Sequence, residues 1–185
     1  MEMTLEEWAD LPEDEEGELV DGRLEEEEVP SVLHEVVVMW LATTLYAWIV
    51  PRGGWVLGSE VKYAVRKKTG RKPDVAVYFP GRRPDGKNLA LNPPDIAIEV
   101  VSPRARDRRR DRVDKARDYA AFGVRVYVLV DPEARSLEAL ELVKGRWVLA
   151  VAQTEGVVTL PACGGLTLNL DELWQRIELL ESDPS

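Results

Sequence analysis

Two short apolar runs, each carrying a carboxylate, constrain this chain more than any other feature. They are Pro73-Asp74-Val75-Ala76-Val77 and Pro94-Asp95-Ile96-Ala97-Ile98-Glu99-Val100-Val101. Both read as buried strands, being short, rich in Val and Ile, and bounded by Pro, Gly and Asn. Successive side chains of a strand face opposite sides. Asp95, Ala97, Glu99 and Val101 therefore share one face of the second run, and Ile96, Ile98 and Val100 share the other. A carboxylate at Glu99 is costly to bury unless a cation or hydrogen bonds offset it. Two acids at the ends of adjacent strands make a natural cage for a hard divalent cation such as Mg²⁺, which takes oxygen ligands.

A chain of 185 residues is long enough for one domain with a sizeable core. Cys163 is the only cysteine, which rules out an internal disulfide and a cysteine-based metal cluster within one chain. The acidic start MEMTLEEWAD is unlike a signal peptide, and no apolar run is read as reaching the roughly 20 residues of a membrane span. The expected location is cytoplasmic, without a membrane partner. The net charge of −10 is unevenly spread. Residues 1–60 hold 2 basic and 16 acidic groups, residues 61–117 hold 17 basic and 7 acidic, and residues 118–185 hold 5 basic and 11 acidic. The basic third surrounds the two carboxylates, and a phosphate backbone would be drawn to it and repelled elsewhere.

In chain order, Thr4–Asp10 reads as one helical turn, and Asp21-Gly22 marks a tight hairpin ahead of the acidic run Glu25–Glu28. Ser31 caps a helix to about Ile49, apolar nearly all round and so buried on more than one side or placed at a subunit contact. Trp55–Val65 alternates as one strand, and Lys67–Lys72 is a basic turn into the Asp74 strand. After Glu99 a helix is expected from about Ala105 to Phe122, stopped by Gly123. A strand over Val124–Val130, a hairpin of Leu137–Val143 with Arg146–Ala152, a short strand near Val157–Leu160 and a helix capped by Asp171 follow. This order predicts a mixed α/β sheet.

Helix, strand, strand bearing Pro-Asp, strand bearing Glu, helix, strand is similar to the PD-(D/E)XK nuclease superfamily. More narrowly, RKPDVAVYF…PPDIAIEVVSP…DKARDYAAFGVRVYVLVDP resembles the Uma-type family of restriction endonucleases over roughly His34–Pro132, with a weaker echo in ELVDGRLEEE. The resemblance implies a restriction-endonuclease-like mixed sheet flanked by helices, with extra β-hairpins. One domain would then comprise an acidic hairpin-containing extension (1–30), a nuclease core (31–132), and a hairpin and C-terminal helix as decoration (133–185). It also implies Asp74 and Glu99 as ligands of Mg²⁺ or Mn²⁺, with the backbone carbonyl of Val100. The third motif position holds Val101 instead of lysine, and the family's lysine comes from the following helix, here Lys115. At about 100° per residue, Lys115 falls between Tyr119 and Phe122 on the side bearing Ala116, with Arg108 and Arg112 on the same stripe.

Each residue has an ordinary reading beside the catalytic one. Asp74 could simply open a strand, and Lys115 stands one turn after Asp111, the spacing of a plain ion pair. Glu60, Glu35 and His34 are additional site candidates, set against a solvated strand edge, a helix surface and a structural hydrogen bond respectively. Lys67, Lys68, Arg71, Lys72, Arg104, Arg108 and Arg112 are candidate phosphate contacts, although the arginine run also alternates with Asp107, Asp111 and Asp114 as a solvated face would. The expected activity is metal-assisted phosphodiester hydrolysis, with DNA favoured over RNA, by a homodimer. The rivals are an idle nucleic-acid-binding module, favoured by Val101, and an interaction protein, favoured by the acidic first third.

Overall fold

The computed structural model describes residues 2–12, 15, 17–26, 29–102 and 109–182. Its centre is a six-stranded sheet in the order β10-β9-β8-β7-β6-β3. The strands are β3 (Trp55–Gly58), β6 (Val75–Tyr78), β7 (Ile96–Val100), β8 (Val126–Asp131), β9 (Ser136–Val143) and β10 (Arg146–Gln153). Only β7 and β8 run parallel, and every other neighbouring pair is antiparallel. β6, β7 and β8 are buried along their whole length. Both sheet faces are covered, which explains why these strands read as near-continuous apolar runs.

One face packs against α2 (Val32–Ile49) and the C-terminal α4 (Leu170–Glu181). Its core joins Val37, Leu41, Leu45 and Ile49 to Ile96, Ile98, Val126, Val128, Leu173 and Ile177. The other face packs against α3 (Ala116–Phe122) and a small sheet, joining Ala97, Val101, Tyr127 and Leu129 to Tyr63, Val65, Ala116 and Tyr119. The alternation expected along β7 is observed: Ile96, Ile98 and Val100 turn to α2, while Ala97 and Val101 turn to α3. Glu99 shares this second face, which brings its carboxylate to the side chains of α3.

The small sheet has the order β2-β1-β5-β4, from β1 (Glu18–Val20), β2 (Arg23–Glu25), β4 (Tyr63–Arg66) and β5 (Thr69–Arg71). Asp21 and Gly22 turn the β1–β2 hairpin with φ of 47° and 80°, as the Asp-Gly pair implies. The short helix α1 (Leu5–Ala9), capped by Thr4, lays Trp8 against β5. There the Trp8 indole N–H donates to the Gly17 carbonyl at 3.0 Å.

Several sequence expectations need correction. Trp55–Val65 is two strands: the chain turns at Ser59-Glu60, and β4 leaves the main sheet to pair with β5. The stretch Val32–Arg52, 21 residues, is long and apolar enough to cross a membrane by length and composition, contrary to the reading that no such run exists. In the fold it is a core helix with one face buried, while Met39 and Tyr46 are exposed on the other. Within the chain α2 is therefore not buried on more than one side. The final helix is capped by Asn169, which accepts from Glu172 N–H; Asp171 instead accepts the Gly156 N–H at 2.9 Å. β9 and β10 extend the main sheet beyond β8, and α4 contributes to the core beside α2.

Candidate active site

The β6–β7 ladder stops at Val75↔Ile98, and the next step of that register sets Asp74 opposite Glu99. Pro73 has no N–H to continue the ladder. The Asp74 side chain continues it instead, with Oδ2 accepting the Val100 N–H at 2.7 Å. The same oxygen lies 3.3 Å from His34 Nε2, in the first turn of α2, where Ser31 Oγ accepts the His34 N–H at 3.1 Å. Glu99 is buried, and both its oxygens are engaged. Lys115 Nζ donates to Oε2 at 2.8 Å, and Tyr119 O–H donates to Oε1 at 2.7 Å.

Lys115 ends a π-helical turn, Arg110–Lys115, that runs directly into α3. Side chains from the sheet satisfy two carbonyls of this stretch: Tyr127 O–H donates to Asp111 O at 2.9 Å and Trp147 Nε1–H to Ala116 O at 2.7 Å. Asp111, Lys115 and Tyr119, each one helical turn apart, point inward, whereas Val113, about 160° round the helix from Lys115, is 55% exposed.

Lys115 Nζ also lies 3.6 Å from Glu18 Oε1 and 3.6 Å from Asp111 Oδ1. Glu18 arrives from β1, outside the expected nuclease core. Its Oε2 accepts from Arg71 Nη1 at 2.7 Å and its Oε1 accepts the Lys72 N–H at 2.9 Å. Arg71 Nε and Nη2 donate to Asp118 Oδ2 at 2.9 and 2.8 Å, and Arg66 Nε lies 2.8 Å from Asp118 Oδ1. Arg71 is thus no phosphate contact: it is 1% exposed, and its fork is spent on two buried acids.

Burial pulls Lys115 downward, but Glu18, Glu99, Asp111 and Asp74 outweigh it and hold the ammonium charged well above its ordinary range. Burial pushes Glu99 well upward; Lys115 opposes this, while Asp74, Asp111 and Glu18 add to it. Asp111 is raised by burial in the same way, again against Lys115. Burial also acts on Glu18, but the charges of Lys115 and Arg71 win and lower it. For His34, burial is outweighed by Asp74 and Glu35, which raise it.

Asp74, Glu99, Asp111 and Lys115 line a cavity of about 250 Å³, with His34, Glu35, Glu60 and Lys72 also contributing to its wall. Glu35 and Glu60 carry exposed carboxylates: Glu35 Oε1 lies 3.4 Å from His34 Nδ1, and Glu60 Oε2 lies 3.4 Å from Lys72 Nζ. Lys67 and Lys68 are exposed at the β4–β5 turn, Lys68 paired with Glu2. Arg112 pairs with Glu138 and lies 3.7 Å from Asp131. Arg104 and Arg108 lie outside the described residues.

The site suits a hard divalent cation in a specific way. Among the described residues no three His, Cys, Asp or Glu side chains form a ready-made cage. Two carboxylates in register, beside further buried acids that push Glu99 upward, leave desolvated negative charge that a small cation would relieve. Such an ion keeps several waters and needs only one or two protein carboxylates. Each Glu99 oxygen still has a second lone-pair direction beyond its present donor.

The Uma2 family model, described as putative restriction endonuclease, matches residues 4–171. The chain belongs to this family. Among solved structures it is similar to a putative nuclease belonging to DUF820 from Anabaena variabilis, at 21% identity and a TM-score of 0.75, covering 94% of this chain and 98% of that one. That likeness shows a restriction-endonuclease-like fold. No curated protein matches. The family's description supports a nuclease. Asp74, Glu99 and Lys115, the three residues carried by the sequence motif, come together around one cavity. Glu18, Asp111 and Tyr119 join them without having been foreseen as site residues. Only the ELVDG echo pointed towards Glu18, and the i+4 spacing of Asp111, Lys115 and Tyr119 towards the other two.

Proposed function

We propose that the protein is a divalent-cation-dependent endonuclease that hydrolyses phosphodiester bonds, with DNA as substrate. The observation that carries this reading is the convergence of Asp74, Glu99 and the Lys115 ammonium on one cavity wall. Asp74 and Glu99 would hold Mg²⁺ or Mn²⁺. When bound, such an ion polarises the phosphate and makes water a stronger nucleophile. Lys115, kept charged by four acids, offers fixed positive charge to the phosphoryl oxygens as their charge grows. Tyr119 holds the Glu99 carboxylate in place by its hydroxyl. His34 steadies Asp74 from α2, and Glu35 and Glu60 sit on the cavity rim. Lys67, Lys68, Lys72 and Arg112 are the phosphate contacts of this reading, and the exposed side of α2 around Met39 and Tyr46 is its homodimer contact.

Nicking of supercoiled plasmid tests the reading. It predicts cleavage with Mg²⁺ or Mn²⁺, loss in chelator, and a drop of roughly 100-fold or more in Asp74→Ala and Glu99→Ala. Equal nicking by wild type and Glu99→Ala would refute it. A second reading, an idle nucleic-acid-binding module, is favoured by Val101 at the usual lysine position and by the two donors already on Glu99. It predicts salt-dependent DNA binding without nicking.

A further inference from the structure

We infer that Glu18, carried by the N-terminal hairpin, is a positioning residue that shares the charge of the Lys115 ammonium with Glu99 and so leaves Glu99 open to a cation. This rests on the metal-nuclease reading above. An ammonium has three N–H donors. Around Lys115 Nζ stand three carboxylates from three separate elements: Glu99 of β7 at 2.8 Å, Glu18 of β1 at 3.6 Å and Asp111 of the π turn at 3.6 Å. Their pulls oppose one another, so the strength of the Lys115–Glu99 contact depends on what the other two acids withhold.

Glu18 is the fixed member of that trio. It is fully buried, with Oε2 held by Arg71 and Oε1 by the Lys72 backbone N–H. The ordinary reading is that Glu18 merely neutralises a buried arginine. Asp118 already takes two of the three Arg71 hydrogen bonds, however, and Glu18 spends only one oxygen on the guanidinium. Its other oxygen is the one nearest Lys115. The Lys72 N–H fixes that oxygen in place, so the position of the Glu18 charge relative to Lys115 is set by backbone.

Neutralising Glu18 removes one of three pulls, so the Lys115 ammonium gives more of its charge to Glu99 and competes more strongly with any cation for it. The test uses the full chain, Mn²⁺ alone as the probe, and the variants Glu18→Gln, Lys115→Met and their combination. Mn²⁺ affinity is expected to fall about tenfold in Glu18→Gln, an ordinary size for coupling between two sites, and by less than about twofold when Lys115 is already Met. An equal loss in both backgrounds would mean that Glu18 acts through its own field, and would overturn the proposal. The Lys115 Nζ resonance in ¹⁵N-lysine-labelled protein, assigned by its absence in Lys115→Met, reads the ammonium without metal or substrate. It is expected to shift in Glu18→Gln; an unmoved resonance also overturns the proposal. Absence of Mn²⁺ binding by wild type, with the resonance shifting as expected, would defeat the metal reading and leave the positioning role standing. Glu18→Asp retains the charge but draws it back by one methylene, and it carries the same measurements with smaller effects if Glu18→Gln does not fold.

Discussion

Replacing Arg71 with Met should be among the most damaging single changes outside the cavity. The guanidinium makes three hydrogen bonds to two carboxylates, at 2.7, 2.8 and 2.9 Å, and all three side chains are at most 1% exposed. Removing one partner of a buried ion pair costs about 3–5 kcal/mol because the other charge is left uncompensated. Two features pull the value to the lower end. Asp118 keeps Arg66 at 2.8 Å, and Glu18 keeps the Lys72 N–H at 2.9 Å and Lys115 at 3.6 Å. A loss of about 3 kcal/mol is a large share of the 5–15 kcal/mol typical of a domain, and corresponds to a melting temperature lower by roughly 6–12 °C. Urea denaturation followed by circular dichroism measures it, with Arg71→Lys expected to lose less but not recover the two-sided fork. The penalty should also depend on pH. Glu18 is held below its ordinary value of 4.5, so its contribution is present above that value and lost as pH falls through the lower folded one. The difference between wild type and Arg71→Met should therefore be constant near neutrality and shrink in acid. A loss under about 1 kcal/mol, the range of exposed ion pairs, would refute the view that this network is a buried structural anchor.

Three further outcomes are expected. In Gly70→Ala the new Cβ would lie 2.1 Å from Trp8 Cζ3, so α1 must shift, at a cost of about 1–3 kcal/mol in the urea midpoint; an unchanged midpoint would show that Trp8 is not seated against β5. His34 is raised by Asp74 and Glu35 against burial, so its stabilisation is full below about 6.5 and lost as pH rises through the folded value. In chelator, His34→Gln should therefore cost more stability at pH 5.5 than at pH 8.5, and the reverse order would contradict the His34–Asp74 contact. Tyr127→Phe leaves the Asp111 carbonyl without its 2.9 Å donor, at a cost of about 1–3 kcal/mol, with faster amide exchange confined to the π turn; exchange that rises evenly across β8 would instead point to a general loosening.

What the sequence discloses and what it conceals divide along sequence distance. Glu99 was legible as a candidate because the period of its short strand decides which way its side chain points, whereas Asp74 and Lys115 stood out chiefly through the family motif. Ser31 as helix cap and Asp21-Gly22 as hairpin turn are likewise local. Arg71 misled because an arginine in a basic turn is ordinarily solvated, and its burial needs Glu18 and Asp118, which stand 53 and 47 residues away. The strand break at Ser59 also involves a distant segment: β4 pairs with its neighbour β5, and β5 in turn pairs with β1 of the N-terminal hairpin at Leu19↔Gly70. The π turn at Arg110–Lys115 was likewise unforeseen: Tyr127 on β8 donates to a carbonyl within it, and Trp147 on β10 to the carbonyl just after it. These long-range contacts share one consequence. They set charges and donors on the Glu99 face of the sheet, where Lys115 and Tyr119 relieve the carboxylate that β7 buries. A carboxylate in a core strand is tolerable only when distant segments supply its counter-charges. The N-terminal hairpin, read from sequence as an acidic extension, supplies through Glu18 the anchor for both Arg71 and Lys115. The unfavourable burial of Glu99 thus explains why segments so far apart in the chain converge on one cavity.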